Sequence, residues 1–221
     1  MVVRRSPDPL TRALLPRAGI EPFAERAMLL PGYALTEAAE LICAVRGVAA
    51  AAPWRHMVTP GGLIMSVAMT NCGHVGWITD RRGYRYTDAD PDSGLPWPSM
   101  PAVMRALATR AATTAGFNGF EPDACLVNRY EPGSRLTLHQ DRNERDFQAP
   151  VVSVSLGLPA VFLFGGLERA DSTKRISLLH GDVVVWGGPS RLAFHGIGKL
   201  DDGDHPLTGR CRINLTFRRA R

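Results

Sequence analysis

The sequence predicts an α+β protein with an antiparallel jelly roll in its C-terminal half and two helices ahead of it. Three observations carry that expectation. Beyond Pro122, about eight short runs rich in β-branched and aromatic residues follow one another (125–130, 136–139, 151–156, 161–164, 176–179, 183–186, 192–195 and 212–218), most separated by turns bearing glycine or proline. Two earlier stretches repeat apolar residues at helical spacing. The C-terminal half leaves no room for the helical crossovers of a parallel, doubly wound sheet, and the chain carries no P-loop or G-x-G-x-x-G motif.

A chain of 221 residues can bury one sizeable core, with or without an insertion, and is short for two large domains. No apolar run suffices for a membrane span. Residues 151–165, the longest candidate, are interrupted by Ser153, Ser155, Gly157 and Pro159. No signal-peptide pattern is present, so export is not expected, and the four cysteines are dispersed without a C-x-x-C pair. Reduced thiols in a cytoplasmic, monomeric protein are the corresponding expectation. A net charge of +5 favours polyanionic partners, nucleic acid first, although a solvated basic surface gives the same number.

Residues 1–25 mix Arg4, Arg5, Arg12 and Arg17 with Pro7, Pro9, Pro16 and Pro22 and read as a basic, flexible arm. Residues 29–33 suit a short strand or turn. Over 36–50, Thr36 offers a cap and Leu41, Ile42, Val45 and Val48 an apolar stripe, ended by Pro53. Residues 63–69 fit one strand of a hairpin, with Thr70-Asn71-Cys72-Gly73 as its turn. Trp77, Tyr84, Tyr86 and Trp97 then alternate with charged residues, as in recognition loops. A second helix is expected from Pro101 to about residue 115, burying Met104, Leu107, Ala108 and Ala111 and stopping at Gly116. The chain thus divides into an arm (1–25), an extension with helices (26–122) and a jelly-roll core (123–221).

Within that core, His139-x-Asp141…His195 suits the facial triad of two imidazoles and a carboxylate that holds non-haem ferrous iron with positions left open. His139 and Asp141 share a face if the segment is extended. Alone, H-x-D is more often a surface turn or a hydrogen-bonded pair. The last strand adds to it, because alternation sets Arg212, Asn214, Thr216 and Arg218 opposite Cys211, Ile213, Leu215 and Phe217. Arginines lining an interior need an anion, and a dicarboxylate would meet them with bidentate pairs, whereas a solvated edge strand would need none. Leu126, Asn128 and Tyr130 share a face upstream and either add an amide and a phenol to that cavity or simply pack.

The ordered set Asn128-x-Tyr130, His139-x-Asp141, His195 and Arg212-x-Asn214-x-Thr216-x-Arg218 resembles the AlkB family of iron(II)- and 2-oxoglutarate-dependent dioxygenases. Met57-Val58-Thr59-Pro60-Gly61-Gly62, Met65-Ser66-Val67-Ala68-Met69-Thr70-Asn71-Cys72-Gly73, Ser153-Val154-Ser155-Leu156-Gly157 and Gly181-Asp182-Val183-Val184-Val185-Trp186-Gly187-Gly188 extend the likeness over residues 29–218. H-x-D…H alone would indicate only the wider oxygenase superfamily.

The resemblance implies a double-stranded β-helix (jelly-roll) catalytic core with N-terminal helices and a nucleotide-recognition lid. It implies oxidative dealkylation of N-alkylated bases, chiefly 1-methyladenine and 3-methylcytosine, in single-stranded DNA, with RNA and double-stranded DNA as further substrates. His139, Asp141 and His195 would bind iron(II). Asn128, Tyr130, Arg212, Asn214 and Arg218 would hold 2-oxoglutarate, cosubstrate with dioxygen; Arg212, Asn214 and Tyr130 would lie nearer its distal carboxylate, Asn128 and Arg218 nearer the metal. Trp77 and His139 would sandwich a flipped base, Met69 would line its pocket and Tyr84 would meet phosphate. Thr59, Arg135, Gln140 and Arg169 would follow the strand.

One position departs from the pattern. Where the resemblance implies an acidic residue that reads the base, the chain has Asn143, with Glu144 beside it as the expected substitute. Two other classes fit less of the sequence. A related oxygenase acting on a protein or small molecule would keep the iron and cosubstrate residues without needing Trp77 and Tyr84. A metal-free jelly-roll binding module would leave the interior arginines without an anion.

Overall fold

The computed structural model describes residues 19–221. The expected arm lies mostly outside the described residues, but its last part does not. Glu21–Ala24 forms β1, paired antiparallel with β2 (Ala27–Leu30). Phe23 packs edge-on against Phe164 with ring centroids 5.0 Å apart, an aromatic contact that draws this segment onto the body despite Pro22.

Helix α1 (Ala38–Ala51) buries Ala38, Leu41, Ile42, Val45 and Val48, as their spacing requires. Thr36 does not cap it. Its hydroxyl donates to Glu37 Oε2 (3.0 Å), and the N-cap residue is Glu37, which makes no side-chain cap bond. Helix α2 (Ala102–Thr114) buries Met104, Leu107, Ala108, Ala111 and Ala112. Gly116 stops the chain there at φ 83°, a left-handed conformation that favours glycine.

Between the helices run β3 (Arg55–Val58), β4 (Ile64–Gly73), β5 (Gly76–Asp80) and β6 (Gly83–Thr87). Strand β4 continues through Thr70, Asn71, Cys72 and Gly73, where the sequence suggests a turn. These residues pair with β7 (Ala124–Tyr130) as far as Gly73↔Ala124. Their polar groups are satisfied locally: Thr70 Oγ1 donates to the carbonyl of Ala52 (2.6 Å), and the Asn71 amide bonds both the N–H and the carbonyl of Trp77 (3.0 Å each). A Cβ on Gly73 would meet the Asp123 carbonyl at 2.3 Å, so only glycine fits this strand end.

The C-terminal half continues with β8 (Leu136–His139), β9 (Val151–Gly157), β10 (Ala160–Phe164), β11 (Lys174–Leu178), β12 (Val183–Trp186), β13 (His195–Ile197) and β14 (Arg212–Arg218). The run expected at 192–195 only begins pairing at His195, because Gly188–Ser190 forms a 3₁₀ turn before it. An eight-stranded sheet of order β1-β2-β12-β9-β14-β7-β4-β3 is complemented by a four-stranded sheet of order β11-β10-β13-β8, with β5-β6 as a separate ribbon. Strands β3 and β4 of the extension therefore extend the same sheet as β7 and β14 of the core.

Alternation divides the large sheet cleanly. Val127, Val152, Val154, Val185, Ile213, Leu215 and Phe217 join the two helices in one apolar cluster. Leu126, Tyr130, Val151, Val184 and Trp186 face Phe162, Phe164 and Ile197 of the small sheet in another. Each fully buried large side chain contributes about 1.5–3 kcal/mol. Arg212, Asn214, Thr216 and Arg218 alternate with the apolar residues of β14, so they fall on the face turned away from the helices.

Candidate active site

The triad is assembled by strand pairing. In the small sheet, β13 and β8 run antiparallel with His195 opposite His139, and the two imidazole centroids lie 4.4 Å apart. Asp141 follows β8 by two residues and reaches both rings: its Oδ1 is 3.8 Å from His139 Nε2 and its Oδ2 3.8 Å from His195 Nε2. One ligand atom from each residue falls within 4.8 Å of the others. His139 Nδ1 bonds the carbonyl of Thr137 and His195 Nδ1 that of Ala193, each at 2.9 Å. A carbonyl only accepts, so Nδ1 carries the proton and Nε2 presents a lone pair to the centre.

Electrostatics agrees with a cation site. Burial, reinforced by His139, pushes His195 down to about 3, against the opposing pull of Asp141. Burial alone would raise Asp141, but Arg218 and then the two imidazoles outweigh it and hold its carboxyl below the usual range. Arg218 Nε donates to Asp141 Oδ2 at 2.7 Å. Burial lowers Arg218, yet Asp141 first, then Tyr86 and Glu144, leave it raised and firmly cationic. Two neutral imidazoles and one ionised carboxylate form a donor set suited to ferrous iron.

Beside the triad, the inner faces of β7, β9 and β14 form a polar floor. Asn214 Nδ2 donates to Ser153 Oγ (2.8 Å) and the Val154 carbonyl (3.0 Å), so its Oδ1 faces the other way and accepts from Asn128 Nδ2 and Thr216 Oγ1. Arg212 is fully buried; Nε donates to Ser155 Oγ (2.9 Å) and its guanidinium lies 5.0 Å from the Tyr130 ring centre. Arg212 Nη1 and Nη2 and Asn128 Oδ1 are buried without a hydrogen-bond partner. Burial lowers the Arg212 pKa, with Tyr130 opposing. A buried guanidinium fork with unused donors is costly alone and is matched by a carboxylate, so the residues present fit a dicarboxylate.

The triad and floor open into a cleft of about 550 Å³. Thr59, Met69, Trp77, Tyr84, Gln140, Asn143 and Arg169 line it, with Asn128, Tyr130, Asn214 and Arg218. Trp77 and Tyr84 stack across the ribbon with centroids 5.8 Å apart and planes 21° from parallel. Gln140 Nε2 is tied to the Leu192 carbonyl (2.7 Å) and Arg169 Nη1 to that of Leu138 (2.8 Å). Arg135 is exposed and lies outside the cleft lining; so does Arg212, which is enclosed.

Glu144 does not substitute for an acidic residue at 143. It is buried, accepts from Tyr86 Oη (2.5 Å), and pairs with Arg191 (3.2 Å) and Arg218 (3.6 Å) away from the cleft wall. Two nearby cations draw it inward and leave Asn143 alone at the surface. Arg191 is a functional residue that sequence reasoning missed: it also donates to the carbonyls of Asp141 (2.8 Å) and Ala149 (3.0 Å), fixing the loop that carries the carboxylate ligand. Only distance in space identifies it. Ser153 and Ser155 were missed too, although two hydroxyls alternating in an otherwise apolar strand are a readable signal.

The model of the 2OG-Fe(II) oxygenase superfamily matches residues 26–218. The chain is 59% identical over 200 residues to the alpha-ketoglutarate-dependent dioxygenase AlkB of Escherichia coli (strain K12), spanning 90% of this chain and 93% of that one. It is 42% identical over 220 residues to the AlkB homolog of Caulobacter vibrioides, spanning 96% and 98%. The solved structure of OsALKBH1 superposes with a TM-score of 0.79 at 28% identity, over 91% of this chain and all of that one. With a donor set suited to ferrous iron and a buried arginine fork suited to a dicarboxylate, the chain belongs to the AlkB family and is a dioxygenase dependent on iron(II), 2-oxoglutarate and dioxygen.

Proposed function

We propose that the enzyme oxidatively demethylates N-alkylated bases, 1-methyladenine and 3-methylcytosine among them, in single-stranded DNA and in RNA. The observation carrying this reading is the stacked pair Trp77–Tyr84 on a two-stranded ribbon at the mouth of the iron cleft. An oxygenase for a small molecule has no need of an aromatic platform there, whereas an extruded base does. When bound, iron with 2-oxoglutarate and dioxygen supplies the oxidising equivalent that places a hydroxyl on the N-methyl carbon, which leaves as formaldehyde beside succinate and carbon dioxide.

The chain's own residues bind, orient and exclude. His139, Asp141 and His195 would hold the metal ion at the cleft. Arg212 and Tyr130 would receive the distal carboxylate of 2-oxoglutarate, with Asn214 bracing the floor beside them, while Asn128 and Arg218 would stand toward its metal-binding end. Trp77 and His139 enclose the base, Met69 closes the pocket beneath it, and Tyr84 meets phosphate. Thr59, Gln140 and Arg169 line the strand's path, with Arg135 outside the cleft. Residues 26–122 thus supply recognition and residues 123–221 the chemistry. Cysteines 43, 72, 125 and 211 are free thiols, which suits a monomer working in the cytoplasm, and no helix among the described residues is long and apolar enough to cross a membrane.

The test is formaldehyde release from a methylated single-stranded oligonucleotide. Release that requires both ferrous iron and 2-oxoglutarate, and that disappears in His139→Ala, is the expected result. Vigorous 2-oxoglutarate turnover with no methyl group lost from any nucleic acid would transfer the enzyme to a protein or small-molecule substrate.

A further inference from the structure

Away from the cleft lining, two imidazoles meet where β9 ends. His180 stands in the turn between β11 and β12 and His205 in the loop between β13 and β14, with ring centroids 4.3 Å apart and planes 35° from parallel. His180 Nδ1 accepts from the backbone N–H of Gly157 at 2.9 Å, and His205 Nδ1 from that of Leu207 at 3.3 Å. A ring nitrogen that accepts carries no proton, so both rings are neutral and protonated at Nε2.

The bond to Gly157 extends a ladder. Strands β9 and β12 pair as far as Val154↔Val183; beyond them Ser155 N–H donates to the Asp182 carbonyl (2.9 Å) and Gly181 N–H to that of Ser155 (2.8 Å). At Gly157 the acceptor is a side chain instead, that of His180. The same strand end carries the cosubstrate floor: Gly157 is the register partner of Arg212, and Ser155 Oγ accepts from Arg212 Nε. It has little slack, because a Cβ on Gly157 (φ 90°) would come 2.3 Å from Thr208 Oγ1 and 2.5 Å from the Cys211 carbonyl.

Proton uptake reverses the His180 bond. An imidazolium donates from both nitrogens, so Nδ1–H would face the Gly157 N–H, donor against donor, with the new charge against the His205 ring. The other titratable groups on the surrounding elements are Asp204, exposed beside His205; Asp182, whose carboxylate accepts from the N–H groups of Gly32 and Leu179; and Cys211, whose thiol donates to the Thr208 carbonyl. The segment before α1 presents Leu35 to this turn. Burial first, then His205, hold His180 below its ordinary value, so it is neutral at neutral pH and takes up a proton only in acid.

We propose that His180 is a positioning residue for 2-oxoglutarate: neutral, it holds the Ser155–Gly157 strand end in place beside Arg212, and protonated, it releases that end and weakens cosubstrate binding. The inference rests on Arg212 receiving the distal carboxylate. Linkage is reciprocal, so 2-oxoglutarate in turn favours the neutral ring and lowers the His180 pKa further when it binds.

The experiment measures KM for 2-oxoglutarate in the iron-loaded enzyme at about pH 8 and about pH 5.5, either side of the ordinary histidine value. Wild type is compared with His180→Asn, whose carboxamide oxygen can accept at the place of Nδ1 and does not titrate. The rise in KM from the higher to the lower pH is expected to be on the order of fivefold larger in wild type, as for two modestly coupled sites. Titration of the metal ligands is common to both proteins and cancels in that comparison. Histidine C–H resonances followed by NMR in the metal-free wild type should show a lower His180 pKa with 2-oxoglutarate than without it, and this reading needs no variant to fold. Superposable KM profiles, or a His180 pKa indifferent to 2-oxoglutarate, overturn the inference. If Arg212→Met also binds 2-oxoglutarate normally, the placement beneath it fails as well; if that variant loses 2-oxoglutarate, only the role of His180 is lost.

Discussion

The floor and the rim of the cleft are built on different principles. On the floor, Arg212, Asn214, Thr216 and Arg218 are all buried; Arg212 bonds Ser155, Asn214 bonds Ser153 and Asn128, Arg218 bonds Asp141, and Thr216 bonds Asn214. At the rim, Trp77, Tyr84, Asn143, Gln140 and Arg169 are half-buried or exposed, on a two-stranded ribbon and on loops, held by one or two contacts each. The floor is positioned before any ligand arrives and sits in a low dielectric, where unpaired polar groups are costly. The rim is solvated, and its groups can be exchanged cheaply.

The largest expected effect separates two ligands of the same triad. His139→Ala should abolish succinate formation while the metal-free protein keeps nearly its wild-type unfolding temperature, since His139 stands at the half-exposed edge. Asp141→Ala should abolish turnover and also destabilise the metal-free protein, with about 3–5 kcal/mol as the upper limit, because buried Arg218 loses its 2.7 Å partner and keeps only Glu144 at 3.6 Å. Equal unfolding temperatures in the two variants would break the distinction between floor and rim.

Next in size is Arg212→Met. The cosubstrate-free variant should unfold at the wild-type temperature or above it, because a buried fork without partners has been replaced by an apolar chain. Stabilisation by 2-oxoglutarate, about 2.7 kcal/mol at a hundredfold excess over Kd, should largely vanish. A thermal-shift titration reads both, and a variant that loses stability but responds normally to 2-oxoglutarate would remove Arg212 from the cosubstrate site.

Rim substitutions should act on nucleic acid alone. Trp77→Ala is expected to weaken single-strand binding by about 1–3 kcal/mol, the range for one base-stacking contact, with 2-oxoglutarate affinity unchanged. Arg135→Ala should do least. Its exposed side chain would lower the slope of log K against log salt by about 0.7 for one lost phosphate contact, without altering base preference. An effect of either variant on cosubstrate affinity would show that rim and floor are coupled.

Much of the floor was legible because strand geometry is local. A period of two places Arg212, Asn214, Thr216 and Arg218 together whatever the rest of the chain does, and polar residues alternating with Ile213, Leu215 and Phe217 announce two different faces. Helical spacing likewise identified the buried stripes of α1 and α2. Thr70 and Asn71 misled because their polarity resembles a turn, whereas their side chains are satisfied by Ala52 and Trp77, contacts no local pattern displays. Glu144 misled for a related reason, since adjacency to Asn143 says nothing about which way the loop turns its carboxylate.

By itself, then, the chain's order of residues determined the donor types, their grouping on strands and the two-layered apolar pattern that makes a jelly roll. Tertiary structure decided the rest: that His195 pairs opposite His139, that Arg191 grips the Asp141 loop, that β1 and β4 join the large sheet, and that Glu144 points inward while Asn143 stays out. The physical reason is range. Backbone periodicity acts over a few residues and can be read from them, whereas ion pairing and strand register are settled between segments whose separation in sequence carries no information about their distance in space.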